Sequence, residues 1–83
     1  MSNPVKLSVS AATTFPTWAA GGTTTLWVKN LENRSGQVSV NAGAGHEFVD
    51  VGSNDSTSIK RKWGGIVIGV TNSGQTEVEV WTA

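Results

Sequence analysis

His46 is the one histidine of this sequence, and it stands four residues before Asp50. With a serine nearby, such a pair could form a nucleophilic hydrolase, in which the carboxylate orients the histidine and the histidine activates the hydroxyl. Four residues of a β-strand, however, separate the two α-carbons by about 13 Å, too far for a direct hydrogen bond. The sequence also lacks a Gly-x-Ser-x-Gly elbow. We therefore interpret His46 as a surface or strand-end residue and expect no catalytic activity.

Metal and cofactor sites lack their usual side chains. With no cysteine and a single histidine, the common zinc ligand sets are excluded. The loop 54–58, Asn-Asp-Ser-Thr-Ser, offers oxygen atoms of the kind that Ca²⁺ prefers but has only one acidic residue, so we interpret it as a solvated turn. The glycine-rich stretch 42–45 has no lysine at phosphate-loop spacing. We expect neither a metal nor a cofactor.

Basic residues are concentrated in the run Lys60-Arg61-Lys62, which holds three of the six in the chain. A nucleic-acid surface would combine such cations with Trp27 or Trp63 as stacking platforms. Six acidic residues bring the net charge to zero, which gives little long-range attraction to nucleic acid or to an anionic membrane. We therefore expect no nucleic-acid partner, and we interpret the run as protection of a strand edge.

Two tryptophans fall on the polar phase of their strands. In the segment 23–29, Leu26 and Val28 share one face while Trp27 lies with Thr25 on the other, and Trp81 lies opposite Val78 and Val80 in the segment 76–82. Large aromatic side chains that face water usually mark a contact surface. If both sheet faces are covered instead, both tryptophans belong to the core.

The first functional hypothesis is carbohydrate recognition. Flat aromatic rings cover the apolar C–H faces of a sugar, and neutral hydroxyl and amide groups or carboxylates bind its rim. Charged residues make up only 14% of the chain, which suits a neutral ligand. The hypothesis predicts a non-catalytic, lectin-like module whose ligand-binding residues are Trp27, Trp81, Thr25, Asn30, Glu77, Glu79 and Trp18. Trp18 itself either closes the end of the fold or stands in a binding loop.

The alternative is a structural domain that assembles with itself, as in a capsid, a fibre, an appendage or a membrane-active oligomer. Aromatic patches on small β domains are often subunit interfaces. A chain of 83 residues without cysteine has a thin stability margin, which oligomerisation often supplements. A homo-oligomer is therefore expected, with either carbohydrate or a second copy as the partner.

Alternation of apolar and polar residues predicts the elements that position these side chains. Turn signals recur about every ten residues, which is typical of a small antiparallel β-sandwich or barrel. We predict an all-β fold of about seven strands, in a single domain over residues 1–83. The segment 11–22 is predicted to be irregular, and Ile66–Val70 to be a central strand covered on both faces. Similar turns follow Asn30 and Asn72, which we attribute to turn chemistry rather than to an ancient duplication.

Cellular location stays open on the sequence. No run approaches the roughly 20 apolar residues that a membrane span requires. The N-terminal residues lack the basic and apolar segments of a signal peptide. A secreted or appendage-associated protein is compatible with the composition, and the sequence does not discriminate between these and other compartments.

Overall fold

Eight β-strands make up the structure of this chain. The computed structural model describes residues 2–19 and 21–83. The strands are β1 (Val5–Leu7), β2 (Ala12–Phe15), β3 (Thr24–Asn30), β4 (Gly36–Ala42), β5 (Gly45–Val51), β6 (Ser56–Arg61), β7 (Ile68–Asn72) and β8 (Val78–Thr82). Within these two ranges there is no helix of the length and apolar character needed to cross a membrane.

The strands form two four-stranded sheets, and all neighbouring strands are antiparallel. Sheet A has the order β1-β8-β3-β6, and sheet B has the order β2-β7-β4-β5. The core lies between the sheets and consists of alternate residues of the strands: Leu7, Phe15, Leu26, Val28, Val38, Val40, Val49, Val51, Ile68, Val70, Val78 and Val80. Because successive strand residues point to opposite faces, the remaining positions form the outer faces. The prediction of an all-β sandwich is confirmed.

The strand β2 exceeds the predicted set of seven and lies in the segment that the sequence predicts to be irregular. Its pairing with β7 places Phe15 opposite Ile68 and Thr13 opposite Val70, and Phe15 is only 3% exposed. A four-residue strand with one large apolar side chain gives no recognisable alternation. The sequence therefore contains too little pattern to reveal it.

The segment Ile66–Val70 differs from its prediction as a strand covered on both faces. The strand β7 begins only at Ile68, and Ile66 and Val67 are 40% and 60% exposed. The N–H of Ile66 donates to the carbonyl of Trp63 at 3.4 Å, which closes a turn around Gly64 and Gly65. The strand is central, between β2 and β4, but the prediction was wrong for Ile66 and Val67, because this turn holds these two apolar residues outside the sheet.

The two sheets repeat one arrangement. The strands β3, β4, β5 and β6 occupy positions equivalent to those of β7, β8, β1 and β2. In each set the first strand is central in one sheet, and the second strand lies in the other sheet. The second set combines the last two strands of the chain with its first two, so the repeat is circularly permuted.

Two buried asparagines make the same hydrogen bonds in the two halves. Asn30 ends β3 and Asn72 ends β7, and each is 1% exposed. Each side chain donates from Nδ2 to the carbonyl four residues later and accepts at Oδ1 from the N–H two residues later. The partners are Arg34 and Glu32 for Asn30, and Thr76 and Gly74 for Asn72.

A second donation from each asparagine joins distant parts of the chain. Nδ2 of Asn30 reaches the carbonyl of Gly52 at 3.1 Å, and Nδ2 of Asn72 reaches the carbonyl of Leu7 at 3.0 Å. Both acceptors lie where an edge strand ends. The two asparagines thus have equivalent structural roles, which turn chemistry alone does not account for.

Candidate functional site

A cleft opens at one end of the sandwich, where the β2–β3 loop passes over the ends of sheet A. It has a volume of about 240 Å³ and is lined by Pro16, Thr17, Trp18, Thr24 and Thr82. The first three residues follow β2, while the two inner threonines come from the start of β3 and the end of β8. The cleft is therefore built from two strand ends of sheet A and from the loop that carries the exposed Trp18.

The β2–β3 loop is held in place by backbone and hydroxyl hydrogen bonds. The N–H of Trp18 donates to Oγ1 of Thr24 at 2.9 Å, and the hydroxyl of Thr17 donates to the carbonyl of Ile66 at 2.6 Å. A Cβ atom at Gly22 would lie 2.8 Å from Cβ of Trp18, so a glycine is required there for Trp18 to keep its position. The tryptophan ring thus stands on an ordered loop beside the cleft.

The cleft presents an aromatic face and hydroxyl groups without any charge. Trp18 is 55% exposed, whereas Thr24 and Thr82 are almost fully buried. Oγ1 of Thr24 accepts one hydrogen bond and keeps its own proton for donation. The hydroxyl of Thr82 lies 3.0 Å from that of Ser2. Such a cleft suits a small, neutral ring that carries hydroxyl groups.

The predicted tryptophan pair lies on the outer face of sheet A. Trp27 and Trp81 are cross-strand neighbours on β3 and β8, with ring centroids 6.0 Å apart and planes 7° from parallel. Both side chains are half-buried. Each ring covers part of the other, so the pair forms one aromatic plate with a limited free surface.

Two further predicted residues share this outer face, and they flank the plate along the strands. Thr25 is paired with Lys60 in register on one side. Glu79 is paired with Lys29 and with Lys6 on the other side. The outer face of sheet A therefore combines one aromatic plate with an alternating row of lysine and glutamate.

Asn30 and Glu77 do not lie beside the tryptophans. Asn30 points inward at the end of β3, and both ends of its amide are engaged within the protein. Glu77 precedes β8 at the opposite end of the sandwich from the cleft, where its N–H donates to Glu32. The prediction was wrong for Asn30 because alternation from Leu26 and Val28 already puts it on the inward face. It was wrong for Glu77 because β8 begins only at Val78, a boundary that the alternating pattern does not reveal.

The residues considered for catalysis and metal binding have local partners. Nδ1 of His46 is hydrogen-bonded to Asn41, and its ring meets Phe48 edge-on at 4.9 Å between centroids. Asp50 accepts a hydrogen bond from Gln37 at 2.8 Å. Asp55 accepts one from the N–H of Ser56 at 2.8 Å, as in a solvated turn. Among residues 2–19 and 21–83, no three acidic or histidine side chains are grouped as metal ligands.

Of the five cleft residues the sequence predicted only Trp18; it missed Pro16 and Thr17 in the loop and the two threonines of sheet A, Thr24 and Thr82. Both of these threonines point inward on their strands, and the alternating pattern assigns such positions to the core. The available signal was Trp18 within a segment that contains Pro16, Gly21 and Gly22, which could not show where the strand ends of sheet A would meet it. The sequence left open whether Trp18 closes the end of the fold or stands in a binding loop, and the structure has it 55% exposed on the β2–β3 loop at that end.

Comparison with known proteins places the chain in a family. Residues 7–83 match the model of a family of unknown function, DUF8244, and the chain belongs to that family. Two uncharacterized proteins of Dictyostelium discoideum are 41% and 40% identical to it over 68 residues, which cover 82% of this chain and 81% of each relative. No solved structure matches the chain significantly.

Proposed function

We propose that this protein is a non-catalytic, lectin-like carbohydrate-binding module whose primary site is the cleft beside Trp18. The observation that carries the proposal is an exposed indole ring next to buried threonine hydroxyls, with no charged residue lining the cleft. The volume of about 240 Å³ lies just below the ~300–1,000 Å³ of drug-sized sites. It therefore suits a single sugar ring better than an extended ligand.

The binding mode follows from the chemistry of a pyranose. Its apolar C–H face would pack on Trp18, and its hydroxyl rim would meet the hydroxyl groups of Thr24 and Thr82. Trp81 directly precedes Thr82 and lies on the outer face of the same sheet end. A longer saccharide would extend past the end of β8 toward the Trp27–Trp81 plate, where the sequence predicts ligand contacts.

Replacing Trp18 with alanine is expected to weaken sugar binding on the order of tenfold or more, because a central aromatic contact carries much of the binding energy of a small site. The measurement is binding of labelled protein to a broad glycan array, followed by titration of each hit. Thr82→Val, which removes one hydroxyl and keeps the shape, should weaken the same hits by a smaller factor.

The matched control for Trp18→Ala is Phe48→Ala. Phe48 is 59% exposed, close to the 55% of Trp18, but it lies on the outer face of sheet B, away from the cleft. Hits that survive Phe48→Ala and disappear with Trp18→Ala support the proposal. A blank array for the native protein, or hits that are insensitive to Trp18, would reject it.

Self-assembly is the second candidate, and the outer face of sheet A favours it. The tryptophan plate is flanked by Lys29 and Glu79 side by side in register. Two copies related by a twofold axis could oppose lysine to glutamate across the plate and bury both aromatic pairs. A monomeric mass in solution at high protein concentration would reject this candidate.

A further inference from the structure

Exposed apolar residues are concentrated at the cleft end of the sandwich, on two loops that touch. Trp18 lies on the β2–β3 loop, and Ile66 and Val67 lie on the β6–β7 loop at 40% and 60% exposure. The hydroxyl of Thr17 is bonded to the carbonyl of Ile66, and a Cβ at Gly65 would lie 3.4 Å from Cα of Ala19. We call Trp18, Ile66 and Val67 the apolar tip.

The basic residues of the run 60–62 stand next to the apolar tip. Lys60 and Arg61 are paired in register with Thr25 and Thr24, at the start of β3 and beside the cleft. Arg61 makes two hydrogen bonds to the carboxylate of Glu47, at 2.9 and 3.2 Å. Lys60 and Lys62 are exposed, and neither forms an ion pair with another described residue. Two uncompensated cations therefore flank the tip.

Acidic residues are concentrated at the other end of the sandwich. Glu32 follows β3, Asp55 precedes β6 and Glu77 precedes β8, and Arg34 is paired with Glu32 at 3.5 Å. The zero net charge of the chain thus conceals a separation of charge along its long axis. The field at the tip attracts anions, in contrast to the expectation drawn from net charge alone.

We propose that the apolar tip docks the protein on an anionic lipid bilayer. Apolar side chains at loop ends can enter the boundary between headgroups and acyl chains, and tryptophan is enriched at that depth. Lys60 and Lys62 would then lie at the level of the lipid phosphates and carboxylates, where each basic residue strengthens binding. Charge complementarity favours an anionic bilayer over a neutral surface. This inference goes beyond sugar recognition and does not require it.

The test is sedimentation with vesicles made from equal amounts of phosphatidylcholine and phosphatidylserine, in buffer of low ionic strength. The native protein is expected to sediment with these vesicles and to stay in solution with phosphatidylcholine alone. Val67→Asp should reduce partitioning on the order of tenfold, since it places a charge where an apolar group would enter the bilayer. Lys60→Gln combined with Lys62→Gln should reduce it roughly 30-fold, about 2 kcal/mol, and should flatten its salt dependence.

Phe48→Asp is the matched control, because it adds the same charge at an equally exposed aromatic position on sheet B and should bind like the native protein. Thermal unfolding of each variant establishes that it is folded. The proposal is overturned if the native protein does not bind these vesicles, or if Val67→Asp and the lysine variant bind unchanged. It is also overturned if lipid-free protein forms a dimer that Val67→Asp disrupts, since the tip would then be an interface between copies. The vesicles contain no sugar, so this result is independent of the glycan array.

Discussion

Replacing Asn72 with alanine is expected to lower the free energy of unfolding by about 3–5 kcal/mol. The change leaves the carbonyls of Leu7 and Thr76 and the N–H of Gly74 without their side-chain partner. A buried polar group without a partner costs about 1–3 kcal/mol. A chain of 83 residues has a total stability of roughly 4–12 kcal/mol. Urea unfolding followed by tryptophan fluorescence should therefore show a much lower midpoint.

Asn30→Ala removes the equivalent three hydrogen bonds but should cost less, about 2–3 kcal/mol. The partners Glu32 and Arg34 lie near the surface, where water can replace the lost amide. Asn3→Ala, at an exposed position, is the matched control and should change stability by less than about 0.5 kcal/mol. An Asn72→Ala variant as stable as Asn3→Ala would contradict the structural role assigned to these amides.

A variant of nearly the same shape tests the donor and the acceptor of the Asn72 amide separately. Asn72→Asp keeps an acceptor for the N–H of Gly74 but loses both donations and places a carboxylate at a position that is 1% exposed. We expect it to destabilise the protein at least as much as Asn72→Ala, because the new oxygen faces two carbonyl oxygens. The same urea measurement decides whether the donations or the acceptor contribute more.

Local pattern was sufficient to predict the all-β class and most of the strands, because alternation directly reports which face of a strand is buried. The segment around Trp27 is an example. The sequence predicts that Leu26 and Val28 share one face and that Trp27 lies on the other, and the structure has all three on the predicted faces. The sequence could not predict that Trp27 and Trp81 are neighbours, because this depends on the order of strands that are distant in the chain. The same holds for the cleft, since Thr24 and Thr82 meet only through the pairing of β3 with β8.

For Ile66 and Val67 the sequence pattern predicted burial where the structure has exposure. A continuous apolar run is typical of a buried strand, yet these two residues are exposed. A hydrogen bond between the Thr17 hydroxyl and the Ile66 carbonyl fixes their loop, and that contact joins segments far apart in sequence. Composition likewise predicted a neutral surface, because a sum over residues contains no information on where the charges lie.

The Trp27–Trp81 plate is expected to contribute to stability through contact between the two rings. Each single change to alanine should lower the free energy of unfolding by about 2–3 kcal/mol, less than the ~3–5 kcal/mol of a fully buried aromatic residue, because both rings are half-buried. The double variant should lose about 0.5–1.5 kcal/mol less than the sum of the single losses, which is the coupling expected for a stacked pair. Urea unfolding of the four proteins measures this coupling.

Thr25→Ala is the control on the same face and should shift stability by less than about 0.5 kcal/mol. Strict additivity of the two tryptophan changes would mean that the stacking seen at 6.0 Å contributes no energy of its own. Sugar binding and mass in solution, measured on the folded single variants, then distinguish a ligand surface from an interface between copies. Loss of sugar binding with an unchanged mass would make the plate a ligand surface, as the sequence predicts, whereas a fall from oligomer to monomer would make it an interface between copies. If both properties are retained, the plate acts in stability alone, and recognition depends on the cleft beside Trp18.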